Sequence, residues 1–322
     1  MKKICVIATG GTIVSSDSGH GLRPELQGNE LIDRIISYRE EAPKRLEAFL
    51  SEGKLSIEVK DLMNIDSSDM QPENWLMIGD LIDKERDSFD GFVVTHGTDT
   101  MAFTAAALTV MLKGIGKPVI MTGSQLPIGF EGTDAVRNFC DAVFAAMGDA
   151  AGVYLAFNGR LLEGRYVTKI DSEDFDAFAE VKRRYPDTEK NGERTGEKTG
   201  GQNEEGYEYR PHFNRKVRFI SLYPGLSAED LLSMVAEDTE AVVLELYGAG
   251  GISTGQRNLI PAVQKIIESG KKVYAVSQCL YGATDLSRYE VGRKLFELGV
   301  SSLGVCTREY AIVTAMHEAF TY

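Results

Sequence analysis

Residues 91–104 read GFVVTHGTDTMAFT. The run from Gly91 to Thr95 is short, apolar and β-branched, and it stops at His96-Gly97. A run of this length, closed by a turn signal, predicts a buried strand. Apolar residues continue beyond the polar break, so a helix is expected from near Thr98 to about Lys113. Strand, polar loop and helix form the repeating unit of a parallel sheet, because parallel neighbours need a long crossover.

The same unit recurs outward in both directions. Strands are expected at 3–8, ending in Thr9-Gly10-Gly11-Thr12, and at 56–62, 118–122 and 152–157. Residues 73–86 read as an amphipathic helix around Trp75, Ile78, Leu81 and Ile82, and a second helix is expected at 134–147. Continuous apolar strands separated by helices predict an α/β fold, doubly wound, with a mostly parallel sheet covered on both faces.

Residues 182–216 break the rhythm. They include KNGERTGEKTGGQNEEG at 190–206, and their few apolar side chains are mostly tyrosine. Such polarity predicts an exposed connector. Beyond it the alternation resumes, with strands at 217–222, 241–246 and 272–277 and a helix at 258–269. A helix after 217–222 is opened by Ser227 with Asp230 three residues on, close to a capping box. The expected division is a larger catalytic α/β domain at 1–181, a polar connector at 182–216 and a smaller C-terminal α/β domain at 217–322.

Composition narrows the function. The net charge of −13 argues against a nucleic-acid partner, which needs a basic face, and more weakly against an anionic membrane surface. Cys5, Cys140, Cys279 and Cys306 stand far apart, with no metal-ligand spacing and a pattern that suits a reducing compartment. The apolar run after Lys2-Lys3 is too short for a signal peptide, and no stretch approaches the ~20 apolar residues of a membrane span. The expectation is a soluble, cytoplasmic protein.

Ligands of an open parallel sheet bind at the carboxyl ends of its strands. Five loops fall there: Thr9 to Thr12, Asp66-Ser67-Ser68-Asp69, His96 to Thr100, Thr122-Gly123-Ser124-Gln125, and Arg165 to Lys169. Singly, each has a plain structural reading. Thr98 can be a helix N-cap with Asp99 facing the dipole, the serines can cap a turn, and Lys169 can be a surface lysine. Together they supply what hydroxyl-based amide hydrolysis needs: a nucleophile, a proton acceptor, oxyanion donors and substrate anchors. Thr12 follows glycines that permit close backbone approach and suits a nucleophile. Thr98, Asp99 and Lys169 form a second hydroxyl–carboxylate–amine set, in which a shielded lysine can accept a proton from Thr98. Asp99 can bind an α-ammonium, and Ser67, Ser68 and the start of the Thr98 helix can bind an α-carboxylate. None of the four histidines is spaced as a metal ligand, and His96 is expected to order its loop.

ATGGTI at 8–13 and VTHGTDTM at 94–101 resemble the two signature motifs of the bacterial-type L-asparaginases. DSSDM at 66–70, TGSQLP at 122–127, GRYVTK at 164–169 and YPGLSAEDL at 223–231 extend the resemblance along nearly the whole chain outside 182–216. It is strongest toward the type I, cytoplasmic branch. The resemblance implies hydrolysis of L-asparagine to L-aspartate and ammonia, with Thr12 as the nucleophile that forms an aspartyl-enzyme. Thr98, Asp99 and Lys169 would be a second triad. Ser67, Ser68 and Asp99 would grip the α-groups, with Asp66, Gly11, Gly97 and Ser124 among the substrate-binding residues. Glu309, in TREY, resembles a glutamate supplied by a neighbouring subunit, which implies a homodimer or homotetramer with sites near the subunit contact. No metal or cofactor is implied.

Three positions depart from the pattern. Leu22, in Gly21-Leu22-Arg23-Pro24, stands where the family carries a loop tyrosine, so activation of Thr12 would pass to Asp17, His20 or a residue of another subunit. Gly251 replaces a frequent asparagine, and Glu245 replaces an arginine of a proposed effector site. Two further enzyme readings are a dual glutaminase-asparaginase and a transamidation-linked amidase. A reading of another class is a catalytically weak asparagine or aspartate sensor.

Overall fold

The computed structural model describes residues 1–11, 13, 15–17, 22–24, 28–181 and 206–319, with backbone alone at 15–17, 22–24 and 28–29. These divide into two compact units, Met1–Ala179 with 206–211, and 180–181 with 212–319.

The first unit is built on a six-stranded sheet. Its order is Leu55–Ile65, Lys2–Gly10, Gly91–Thr95, Pro118–Thr122, Gly152–Phe157 and Arg160–Glu163. The first five run parallel. All residues of Gly91–Thr95 and Pro118–Thr122 are buried, as expected of central strands covered on both faces. One face carries Ile4, Val6, Val93 and Ile120 against Val136, Phe139 and Val143 of helix Ala135–Ala146, with Leu31, Ile35 and Leu46 beside them. The alternate side chains Cys5, Ile7, Phe92, Val94, Val119 and Met121 are also fully buried. Helices Pro72–Glu85 and Met101–Met111 pack on each other, and the second also packs on Gly152–Phe157.

The last strand is antiparallel, with Phe157 opposite Arg160. Asn158 (φ 48°) and Gly159 (φ 72°) make a two-residue turn with both residues left-handed. Lys169 is therefore not on a loop at the carboxyl end of the fifth strand, as expected. It ends a separate strand, Val167–Lys169, paired with Phe178–Glu180. A second correction concerns the polar connector. Residues 182–205 lie outside the described residues, but Glu208–Tyr209 pairs with Leu112–Lys113. Tyr207 Oη donates to Asp83 at 2.7 Å, Tyr209 donates to Asp80, and Arg86 stacks on the Tyr207 ring at 4.3 Å. The tyrosines make that end of the connector a docked ribbon.

The second unit holds a four-stranded parallel sheet ordered Val217–Ser221, Ala241–Leu246, Lys272–Ser277 and Ser301–Ser302. One face packs Val242, Leu244 and Ala275 under Leu231, Val263 and Ile266; the other packs Val243 and Val276 under Ala311 and Ala315 of helix Arg308–Glu318. The capping box forms: Ser227 Oγ accepts from Asp230 N, and Asp230 Oδ2 accepts from Ser227 N, both at 3.1 Å. The protein is thus α/β, with a larger N-terminal unit on a mostly parallel sheet and a smaller C-terminal unit. No helix among the described residues is long and apolar enough to cross a membrane.

Candidate active site

The strand order places Leu55–Ile65 on one side of Lys2–Gly10 and Gly91–Thr95 on the other, so the connection out of the first strand runs one way and the next crosses back past it. The crevice at such a switch point, outside the carboxyl ends of the strands, is where doubly wound sheets bind ligands. The loops at 9–11, 66–70 and 96–100 all open there.

Glycines let those loops touch. Gly10 (φ +103°) and Gly11 (φ +86°) occupy the left-handed region that other residues avoid. A Cβ on Gly11 would lie 2.3 Å from the Gly97 nitrogen, and one on Gly97 would lie 2.6 Å from Ser67 Oγ. A Cβ on Gly123 would fall 2.2 Å from the His96 carbonyl oxygen. Loops from four strands are therefore stacked backbone to backbone. Hydrogen bonds fix the stack: Thr9 Oγ1 donates to Thr95 O at 2.7 Å, Thr100 Oγ1 to Ser67 O at 2.7 Å, and Gly11 N to Ile65 O at 3.2 Å.

On this base lie Thr98, Asp99 and Lys169. Lys169 Nζ donates to Thr98 Oγ1 at 2.8 Å and to Asp99 Oδ1 at 2.7 Å, across about seventy residues of chain. Thr98 is buried, and the Lys169 side chain is 18% exposed against 63% for Asp99. The helix begins at Met101, with Thr100 at its N-cap. Thr98 therefore does not cap it, and its hydroxyl is held by Lys169 instead. Nor do the serines cap the turn Ser67–Asp69. Asp66 does, accepting from Ser68 N at 2.8 Å. Ser67 is buried against Gly97, while Ser68 and Asp66 are exposed.

The fourth loop is held from behind. Asp134 accepts from Gln125 N and Leu126 N, at 3.0 Å for its closest oxygen in each case, and from Asn138 Nδ2 at 3.0 Å. Burial pushes the Asp134 pKa above the ordinary carboxylate value, while the Gln125, Leu126 and Asn138 hydrogen bonds pull it back. Asn138 Nδ2 also donates to Gly123 O, and Asn138 Oδ1 accepts from Asn158 N. Between these anchors Ser124 is fully buried, and its Oγ has no hydrogen-bond partner among the described residues. Sequence reasoning does not reach Asp134 or Asn138 as site residues. The one available signal, an Asp before an apolar helix, reads as an N-cap, and only the fold turns that side chain toward loop 124–126.

Thr12 and His20 lie outside the described residues, as do the side chains of Asp17 and Leu22. Ser15–Asp17 and Leu22–Pro24 pair as an antiparallel ribbon, with Asp17 opposite Leu22. Glu309 lies in the second unit, buried in the first turn of helix Arg308–Glu318. Among the described residues no three His, Cys, Asp or Glu side chains converge as a metal site would.

The "Asparaginase, N-terminal" model matches residues 3–194, and the "Glutaminase/Asparaginase C-terminal domain" model matches 216–318. L-asparaginase of Thermococcus kodakarensis is 38% identical over 319 residues, covering 98% of this chain and 92% of that protein. L-asparaginase 1 of Escherichia coli is 34% identical over 257 residues, 79% of this chain and 75% of its own. A glutamyl-tRNA(Gln) amidotransferase subunit of Pyrococcus abyssi is 31% identical over 93% of this chain and 68% of its own. The solved structure of the thermostable L-asparaginase from Thermococcus kodakarensis superposes with a TM-score of 0.81 at 36% identity, covering 98% of this chain and 92% of that one. With both family models in their expected order along the chain and an L-asparaginase matched over 98% of it, the loop stack finds its context: this chain belongs to the asparaginase family and is an amidohydrolase.

Proposed function

We propose that the protein hydrolyses the side-chain amide of L-asparagine to L-aspartate and ammonia. The observation that carries this reading is Lys169 Nζ bridging Thr98 Oγ1 and Asp99 Oδ1 at the switch point of the sheet. In the proposed cycle Thr12 Oγ attacks the amide carbon and ammonia leaves, giving an aspartyl ester. Water activated by the Thr98–Lys169 pair then attacks the ester, releasing L-aspartate and restoring the Thr12 hydroxyl. Thr98 gives up its proton only to a lysine that is neutral at that step. Asp99, exposed at the rim, binds the α-ammonium, and Ser67 and Ser68 bind the α-carboxylate. Gly97 lends a backbone N–H group, Gly11 lets the first loop approach it closely, Ser124 supplies a buried hydroxyl, and Asp66 shapes the serine turn.

The reading assigns no cofactor or metal, a cytoplasmic location and a homodimer or homotetramer. In that assembly Glu309 reaches a site near the subunit contact. Ammonia release from L-asparagine by the purified protein tests the reaction. Full turnover in both Thr12→Ala and Thr98→Ala would remove the two hydroxyls from it.

The similarity to an amidotransferase subunit favours a second reading, in which glutamine or a transamidation partner receives the activity. One methylene in a binding site changes discrimination by only about 1–3 kcal/mol. Comparing kcat/KM for asparagine and glutamine separates the two. The sensor reading, motivated by Leu22, requires tight aspartate binding by calorimetry without ammonia release.

A further inference from the structure

The loop that carries Thr98 and Asp99 is tied by a set of buried side chains outside the Thr98–Asp99–Lys169 cluster. His96 Nδ1 lies 2.7 Å from the Gly97 carbonyl oxygen, His96 Nε2 lies 2.8 Å from Thr104 Oγ1, and Trp75 Nε1 donates to Thr104 Oγ1 at 3.0 Å. All three side chains are buried, His96 and Thr104 completely. The two ends of this string settle its direction. A carbonyl only accepts, so Nδ1 carries the proton and Nε2 is left with its lone pair. Thr104 therefore donates to Nε2 and offers its own lone pair to the indole N–H, which only donates.

The string reaches Gly97, the residue whose backbone is wedged between Gly11 and Ser67 and whose peptide leads into Thr98. It also spans three elements. Trp75 lies on helix Pro72–Glu85, Thr104 on Met101–Met111, and His96 directly after strand Gly91–Thr95. We infer that Trp75, Thr104 and His96 form a one-directional hydrogen-bond chain that fixes the Gly97 peptide and so positions the Thr98 hydroxyl for reaction. They are positioning residues. Lys169 holds both Thr98 and Asp99, but Thr98 is joined directly to the Gly97 peptide and Asp99 lies one residue further, so loosening the chain moves Thr98 more than it moves the α-ammonium anchor. The inference rests on the amidohydrolase reading above for its kinetic assay and on no activity at all for its spectroscopic one.

Thr104→Val keeps the side-chain shape and removes the hydroxyl, leaving the indole N–H and His96 Nε2 without each other's link. We expect kcat for L-asparagine to fall about tenfold, with KM nearly unchanged, and Thr104→Ser to restore it. Trp75→Phe removes only the far link and should have a smaller effect in the same direction. Imidazole ¹⁵N chemical shifts of the wild-type protein report the tautomer directly. A protonated Nδ1 and a bare Nε2 are expected near neutral pH. An Nε2–H tautomer, a Thr104→Val enzyme with wild-type kcat, or a Thr104→Ser enzyme no better than Thr104→Val would each overturn the chain. If Thr104→Val fails to fold, the tautomer and Thr104→Ser kinetics still decide. If the wild type releases no ammonia, the substrate assignment fails, and the tautomer alone decides the chain.

Discussion

Replacing Gly11 by alanine should cost both stability and activity, and the structure separates the two. The residue sits at φ +86°, and its new Cβ would lie 2.3 Å from the Gly97 nitrogen and 2.7 Å from the Gly97 Cα. Left-handed backbone costs an alanine about 1–2 kcal/mol. The neighbour is backbone, so the overlap cannot be relieved by a rotamer, and overpacking adds about 1–3 kcal/mol. The total is about 2–5 kcal/mol. An ordinary contact begins near 3.4 Å, so Gly11 and the loop 96–100 must part by about 1 Å. Misplacement on that scale costs on the order of 100-fold in rate.

Gly53 is the control. Its φ is +67°, nothing lies within 4 Å of its Cβ position, and it follows helix Glu41–Ser51 away from the site. Gly53→Ala should therefore cost about 1–2 kcal/mol from backbone strain and nothing in kcat. Urea unfolding and ammonia release, measured on both variants, give the comparison. If Gly11→Ala matched Gly53→Ala in both stability and kcat, the contact between the first and third loops would not constrain the site.

Lys169→Met removes the group that bridges Thr98 and Asp99, and kcat should drop about 10²–10⁴-fold, the range of a lost proton-transfer partner; a loss under about threefold would move that role elsewhere. Burial lowers the His96 pKa to about 4, so between about pH 6.5 and 4 the unfolded chain takes up a proton that the folded chain refuses. Stability from this group is therefore complete above about pH 6.5 and declines by about 3 kcal/mol as pH falls to 4. Urea midpoints across that range should show the slope, and His96→Asn should lose it. Leu22→Tyr should raise the acylation rate in single-turnover assays, and an unchanged rate would mean that another group already activates Thr12.

Periodicity and punctuation made most of the fold legible. Apolar pentads such as GFVVT and PVIMT, each closed by a polar loop, allow little besides buried parallel strands, because both faces must be covered. Local pattern also exposed the candidate groups, since hydroxyls, carboxylates and glycines at strand ends are visible without coordinates. It failed where the answer depended on partners distant in the chain. Asn158-Gly159 is a hairpin signal in the sequence, and beyond the turn it makes Lys169 lies on a strand of its own and not on the expected loop. Thr98 reads as an N-cap from its neighbours, and only a lysine seventy-one residues away claims its hydroxyl. Asp134 likewise turns from its own helix to hold the 124–126 loop. Nothing local could announce that Trp75, Thr104 and His96 share a string of hydrogen bonds. Which residues are able to do chemistry is a property of the chain. Which of them meet follows from strand order, because sheet packing closes distances that sequence separation does not record.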